Sequence, residues 1–171
     1  CCELQADEAA ALKRELGADP RIGVHQRDGY AAVGALLPPR PEGVRIGRGL
    51  VLVDPPYEAQ RAEFDPALAA LREGLGRWPQ GMFVLWYPIK QRATVQPFLR
   101  RAAHLPAKSV LYAELMVAEE SALRMSGSGL LLCNPPWRFD AGLETLLAGL
   151  QSVLAPRGGA HRVQWLRAAD A

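Results

Sequence analysis

The sequence is poor in residues that build covalent or metallic cross-links. Its 171 residues hold three cysteines and three histidines. Two of the cysteines, Cys1 and Cys2, are adjacent, so there is no disulfide framework, and no cysteine–histidine spacing suits a metal. Membrane-spanning length is missing as well. No apolar run approaches the roughly 20 residues that cross a bilayer, and no signal peptide is visible. Lysine is scarce, since arginine supplies 17 of the 20 positive charges. Against 18 acidic residues this leaves a net charge of +2. Such a balance permits a nucleic-acid partner, because the arginine fork binds phosphate, without demanding one. These absences lead to the expectation of a cytoplasmic, monomeric protein with no membrane partner and no metal.

An initiator methionine is also lacking. The chain opens on Cys1-Cys2-Glu3-Leu4, which reads as the tail of an element and as the C-terminal part of a longer protein. What is present is ordinary globular material, 49% hydrophobic and 22% charged. A single domain over 1–171 is long enough to bury a sizeable core. No internal repeat or low-complexity tract interrupts it.

Taken in order, Cys1 to Glu3 is expected to end a strand. An acidic residue at that place is either the partner of ribose hydroxyls in a nucleotide-binding α/β fold or a plain surface glutamate. Asp7 is expected to cap a helix running to Leu16, with Gly17 as its stop. Arg21 to His25 reads as a strand and Arg27-Asp28-Gly29-Tyr30 as the turn leaving it. Asp28 there is either the N-cap of a helix from Gly29 to Leu37 or a hydrogen-bond partner for a cofactor's adenine. Pro38 to Gly49 is a loop. Its spaced glycines precede a strand instead of following one, so they form no phosphate cradle.

Leu50 to Val53 is the stretch that orders the rest. Four apolar residues predict a short central strand buried on both faces. Asp54-Pro55-Pro56-Tyr57 ends it abruptly, because two prolines cannot continue a ladder. Beyond it, Glu58 to Phe64 reads as a mobile stretch. Asp65-Pro66 is expected to start a helix with Ala67, Leu68, Leu71 and Leu75 on one face. Gly81 to Trp86 is a strand closed by Tyr87-Pro88, and Gln91 to His104 a helix interrupted by Pro97. Val110 to Val117 and Gly129 to Cys133 are strands with no helix between them, so an antiparallel edge hairpin is expected. A helix from Asp140 to Leu154 and a strand from Arg162 to Leu166 follow. Strands alternating with helices predict an α/β fold with a mostly parallel, doubly wound sheet.

A carboxylate, two rigid prolines and an aromatic ring at the carboxyl end of a strand suit one narrow chemistry. The exocyclic amine of adenine is a poor nucleophile because its lone pair is delocalised into the ring. Asp54 and the carbonyl of Pro55 can each accept one N–H bond from it, drawing the nitrogen towards a tetrahedral geometry. Tyr57 then offers a face on which an everted base stacks. The competing reading is a diproline turn with a buried tyrosine. Asn134-Pro135-Pro136-Trp137 repeats the pattern with Asn for Asp. It follows the hairpin strand at the far side of the sheet, so Asp54 is preferred. Trp137 is expected to pack or to line a nucleic-acid-facing rim. Lys90, Arg92, Arg100 and Arg101 are either phosphate contacts or a solvated helix face.

Asp-Pro-Pro-Tyr resembles motif IV of the S-adenosylmethionine-dependent methyltransferases that modify adenine N6. Cys-Glu-Leu-Gln, Arg-Asp-Gly-Tyr, Val-Asp-Pro-Pro-Tyr-Glu, Leu-Trp-Tyr-Pro-Ile, Met-Ser-Gly-Ser-Gly and Cys-Asn-Pro-Pro-Trp, in that order, resemble the RlmJ family of bacterial 23S ribosomal RNA adenine-N6 methyltransferases. The resemblance runs essentially the full length of the chain. It implies a class I methyltransferase (Rossmann-like) sheet, S-adenosylmethionine as cofactor and ribosomal RNA as partner, before the ribosome is fully assembled. It implies that Glu3 binds the cofactor's ribose, that Asp28 and Gly29 hold its adenine, and that Asp54, Pro55, Pro56 and Tyr57 form the catalytic pocket. The family's glycine-rich motif I, with the strand before it, has no counterpart here, so this stretch alone is expected to be inactive. The alternatives are a protein glutamine-amide methyltransferase and a non-catalytic nucleic-acid-binding module of the kind used in DNA utilisation.

Overall fold

The computed structural model describes residues 1–44, 46–57 and 60–169. β1 (Cys2–Glu3) and β2 (His25–Gln26) form a small parallel pair joined through α1 (Ala6–Leu16). α2 (Gly29–Leu36) leads through a loop to β3 (Leu50–Val53). α3 (Gln60–Arg77), β4 (Met82–Ile89) and α4 (Arg92–Ala102) follow. β5 (Val110–Met116), β6 (Gly127–Cys133), α5 (Phe139–Leu154) and β7 (Ala160–Arg167) complete the chain. The larger sheet has the order β3-β4-β6-β5-β7. β3 and β4 are parallel, and every other pairing in that sheet is antiparallel. The expected antiparallel hairpin is present as β5 and β6, but inside the sheet and not at its edge, where β7 lies. The sheet is mixed instead of mostly parallel, because β6 inserts between β4 and β5 and β7 adds to the outside of β5.

Alternation along β4 creates two cores. Phe83, Leu85, Tyr87 and Ile89 face α3 and α4, where Leu71, Leu75, Phe98 and Leu99 complete a large apolar cluster. Val84 points to the opposite face, where Leu111, Ala113, Leu132 and Leu143 of α5 enclose a smaller one. The stripe of Ala67, Leu68, Leu71 and Leu75 is buried as its spacing predicts. Each such leucine removed from water stabilises the fold by about 1.5–3 kcal/mol.

Several local expectations are corrected. β3 is not buried on both faces: Leu50 and Leu52 are 62% and 63% exposed. Among the described residues it pairs only with β4, so it is an edge and not a central strand, with only Val51 and Val53 packed on the main core. Asp7 is not the cap of α1; Gln5 occupies that position, and Asp7 sits in the first turn. Asp65-Pro66 does not start α3, which already runs from Gln60. A proline in the second turn forfeits one backbone bond, and burial of Phe64, Ala67 and Leu68 around it outweighs that loss. Of the stretch expected to be mobile, Glu58 and Ala59 lie outside the described residues and Gln60 to Phe64 is helical. α4 likewise continues through Pro97, and β4 continues through Tyr87 and Pro88.

One row across the sheet explains a glycine. Tyr87, Gly129 and Glu114 lie side by side on β4, β6 and β5. A Cβ at Gly129 would collide with the Tyr87 ring. Its absence lets the Tyr87 hydroxyl cross β6 and donate to Glu114 Oε1 at 2.9 Å. Arg92 Nη1 donates to the other oxygen at 2.5 Å, so the buried carboxylate is both paired and hydrogen-bonded.

Candidate active site at the carboxyl end of β3

Val53 pairs with Leu85, and the next four residues swing away from the sheet. Asp54 is exposed, Pro55 buried, Pro56 exposed and Tyr57 buried. No hydrogen bond or ion pair engages the Asp54 carboxylate among the described residues. A strand that stops in two prolines thus leaves an acid free at the rim. Tyr57 adopts φ +50°, a left-handed conformation that costs a non-glycine residue about 1–3 kcal/mol. Packing holds it there. Its hydroxyl donates to the Trp86 carbonyl at 2.7 Å. Its ring meets Phe64 and Trp86 edge-on at 5.9 and 5.7 Å.

The expectation that Tyr57 presents an open face for stacking is therefore corrected: the residue is 7% exposed. Phe64 and Trp86 cover the ring, and the hydroxyl is spent on β4. In this arrangement Tyr57 braces the Asp-Pro-Pro turn from below. Burial, then the negative charge that Tyr30, Asp54 and Glu63 carry when ionised, raises its hydroxyl pKa well above the ordinary tyrosine value. Those four groups consequently share one neighbourhood.

Tyr30 and Glu63 were not singled out by sequence. The Tyr30 hydroxyl donates to Glu63 Oε2 at 3.2 Å, tying the start of α2 to the first turn of α3. Burial and then Glu63 keep the Tyr30 hydroxyl protonated far above its usual range. Tyr30 follows Asp28-Gly29, and its place in that tetrapeptide was the available signal. Its partner lies 33 residues away, beyond any local pattern.

Asp28 is the N-cap of α2, as one of its two readings held, with Oδ1 accepting from Tyr30 N at 2.7 Å and Ala31 N at 3.5 Å. Gly29 is exposed, and a Cβ there would meet nothing within 4 Å. Glu3 is half-buried at the end of β1, and its Oε1 accepts from Gln5 N at 2.7 Å. β1 and β2 are parallel with Glu3 opposite Gln26, so Glu3 and Asp28 leave the sheet on one side. Each keeps one carboxylate oxygen beyond the local turn, and the space over Gly29 is open. Both free oxygens are hydrogen-bond acceptors, the chemistry that the hydroxyls of a ribose or the amino group of a base would meet.

Asn134 is excluded from the site by its own bonding. At φ +56° it directs Nδ2 to the carbonyls of Pro79 and Gly81, each at 3.0 Å, and its Oδ1 accepts from Lys108 N at 2.8 Å. β6 runs antiparallel to β4, so Asn134 lies beside the start of β4 whereas Asp54 lies beside its later half. Trp137 does not pack against the fold; it is 87% exposed, with the Arg138 guanidinium over its ring at 5.2 Å.

Comparison with known proteins shows the family to which the chain belongs. A family model described as Ribosomal RNA large subunit methyltransferase D, RlmJ matches residues 1–167. Ribosomal RNA large subunit methyltransferase J of Escherichia coli (strain K12) is 32% identical over 166 residues, covering 96% of this chain and 57% of that protein. Its namesake from Haemophilus influenzae is 31% identical over the same shares. The chain thus spans little more than half the length of these relatives. The crystal structure of a protein from Legionella pneumophila str. Philadelphia 1 superposes with a TM-score of 0.82 at 29% identity, over 96% of this chain and 59% of that one.

Proposed function

We propose that this chain, which belongs to the RlmJ family of ribosomal RNA large subunit methyltransferases, forms the target-base side of a site that methylates adenine N6 in 23S ribosomal RNA. The observation that carries the reading is the unpaired Asp54 carboxylate, held at a strand end by a diproline turn that Tyr57 pins to β4. An acid that no described residue engages is available to a ligand.

In this reading Asp54 accepts one N–H of the exocyclic amine and the Pro55 carbonyl accepts the other. Two fixed acceptors turn the N–H bonds out of the ring plane and localise the lone pair on nitrogen. Alignment of that kind is the protein's contribution to rate. Asp54 need not be a strong base, because the amine becomes acidic only once it carries a fourth substituent, and its proton leaves late. Glu3, Asp28 and Gly29 hold S-adenosylmethionine, which when bound supplies an electrophilic methyl group on sulfonium. The Tyr30–Glu63 bond keeps the start of α2, and with it the Asp28-Gly29 turn, in register with the Asp54 turn. The enzyme is expected to work in the cytoplasm, on RNA not yet buried in the ribosome.

Mapping N6-methyladenosine in ribosomal RNA from cells with and without the gene tests this function. Loss of one modified adenine from the large-subunit RNA is the expected result. An unchanged map, or loss of a methylated protein glutamine instead, overturns it.

A further inference from the structure

Beside the Asp54 turn, α3 and α4 leave an open groove of about 360 Å³, within the range of small-ligand sites. Phe64 connects the two features. One side of its ring meets Tyr57, and the residue also lines the groove, stacked at 4.3 Å on Phe98. Ala93 and Pro97, both exposed on α4, continue an apolar wall along one helix stripe. At the groove's edge Arg101 Nη1 donates to Asp65 Oδ1 at 2.5 Å. Their side chains are 55% and 69% exposed, so the pair contributes little to stability and can part at small cost. Arg92, by contrast, is committed to buried Glu114 and is not free to leave it. Arg100, the neighbour of Arg101, is exposed and adds to the positive charge on this part of α4.

We propose that this groove holds a nucleotide flanking the target adenine in single-stranded RNA. Its base lies on the Ala93–Pro97 wall, and its phosphate takes Arg101 from Asp65. The position fits the task, since the nucleotide next to an everted base must pass close to the turn that receives it. A cation for the backbone beside a surface for the base is how single strands are gripped without sequence readout, and there the surface is commonly aromatic. The proposal rests on RNA being the substrate, and it adds the place where the neighbouring nucleotide binds. Asp65 is the competing charge: while paired it shields Arg101, and while unpaired it repels phosphate.

The test uses the complete gene product and a fluorescein-labelled, unstructured RNA oligomer containing one adenine, with binding read by anisotropy over a series of salt concentrations. Arg101→Ala should weaken binding by about fivefold and lower the slope of log affinity against log salt by about one. Arg101→Lys should keep the slope. Asp65→Asn should tighten binding, which a merely structural ion pair does not predict. Wild-type affinity and slope in Arg101→Ala, weaker binding in Asp65→Asn, or no RNA binding by the wild type would each overturn the proposal. Because the readout needs no methyl transfer, it is separable from the role of Asp54. Loss of methylation in Asp54→Ala with unaltered binding in Arg101→Ala sinks the groove alone. Retained methylation in Asp54→Ala with weakened binding in Arg101→Ala sinks only the catalytic assignment.

Discussion

The Tyr57 hydroxyl donates to the main-chain carbonyl of Trp86 at 2.7 Å. Through this bond a residue in a left-handed conformation is fastened to the neighbouring strand, and the Asp-Pro-Pro segment before it is held at the rim. The bond sets the direction of Asp54 without touching any substrate.

Tyr57→Phe removes the donor and leaves a carbonyl without its partner. Stability should fall by about 1–2 kcal/mol. The maximal methylation rate should fall by up to about tenfold as the turn loosens, with a smaller change in apparent cofactor affinity. Chemical denaturation and steady-state kinetics on the same preparation check both.

Asn134→Ala separates the two diproline motifs. It removes three hydrogen bonds to main-chain groups and a side chain suited to positive φ. A destabilisation of about 2–4 kcal/mol is expected, with the rate of the folded enzyme unchanged. A folded Asn134→Ala protein that has lost its activity would transfer the catalytic assignment to the second motif.

Much of this arrangement was legible in the sequence, because it depends on local chemistry. Two consecutive prolines end β3 just after Val53, where the single Pro88 does not end β4, and helical spacing buries Leu71 and Leu75 in any α/β packing. The β5–β6 hairpin follows from two strands without a helix between them. What was not legible depends on partners distant in the chain. The exposure of Leu50 and Leu52 reflects which strands and helices flank β3, and four apolar letters do not encode that. Burial of Tyr57 arises from Phe64 and Trp86, seven and 29 residues away. The Tyr30–Glu63 bond and the bracing by Asn134 need the fold before they can be seen. Pro66, Pro88 and Pro97 misled for one reason: burial of neighbouring side chains outweighs the single backbone bond that each proline forgoes.

Alkaline pH should unfold the protein early. Burial raises the hydroxyl pKa values of Tyr30, Tyr57 and Tyr87 above the ordinary value of 10.0, and Glu114 adds to the effect at Tyr87. Groups whose pKa is raised on folding contribute stability that is complete below the unfolded value. It is lost as pH rises past that value, because the unfolded chain then releases protons that the native state retains. Between neutral pH and about pH 9 the melting temperature should therefore be flat, and it should fall steeply above about pH 10. Tyr30→Phe should reduce the steepness. A melting temperature that holds to pH 11 and beyond would contradict the burial of these hydroxyls.

The most direct measurement compares Asp54→Ala and Asp54→Asn in the complete gene product, following transfer of labelled methyl groups to ribosomal RNA from cells lacking the gene. Asp54→Ala should lose at least about a hundredfold in rate while its melting temperature and RNA affinity stay near wild type, since no described residue leans on that carboxylate. Asp54→Asn, which keeps one acceptor oxygen, should retain measurable activity. Wild-type methylation by Asp54→Ala would show that the rim of β3 is not where the adenine nitrogen is prepared.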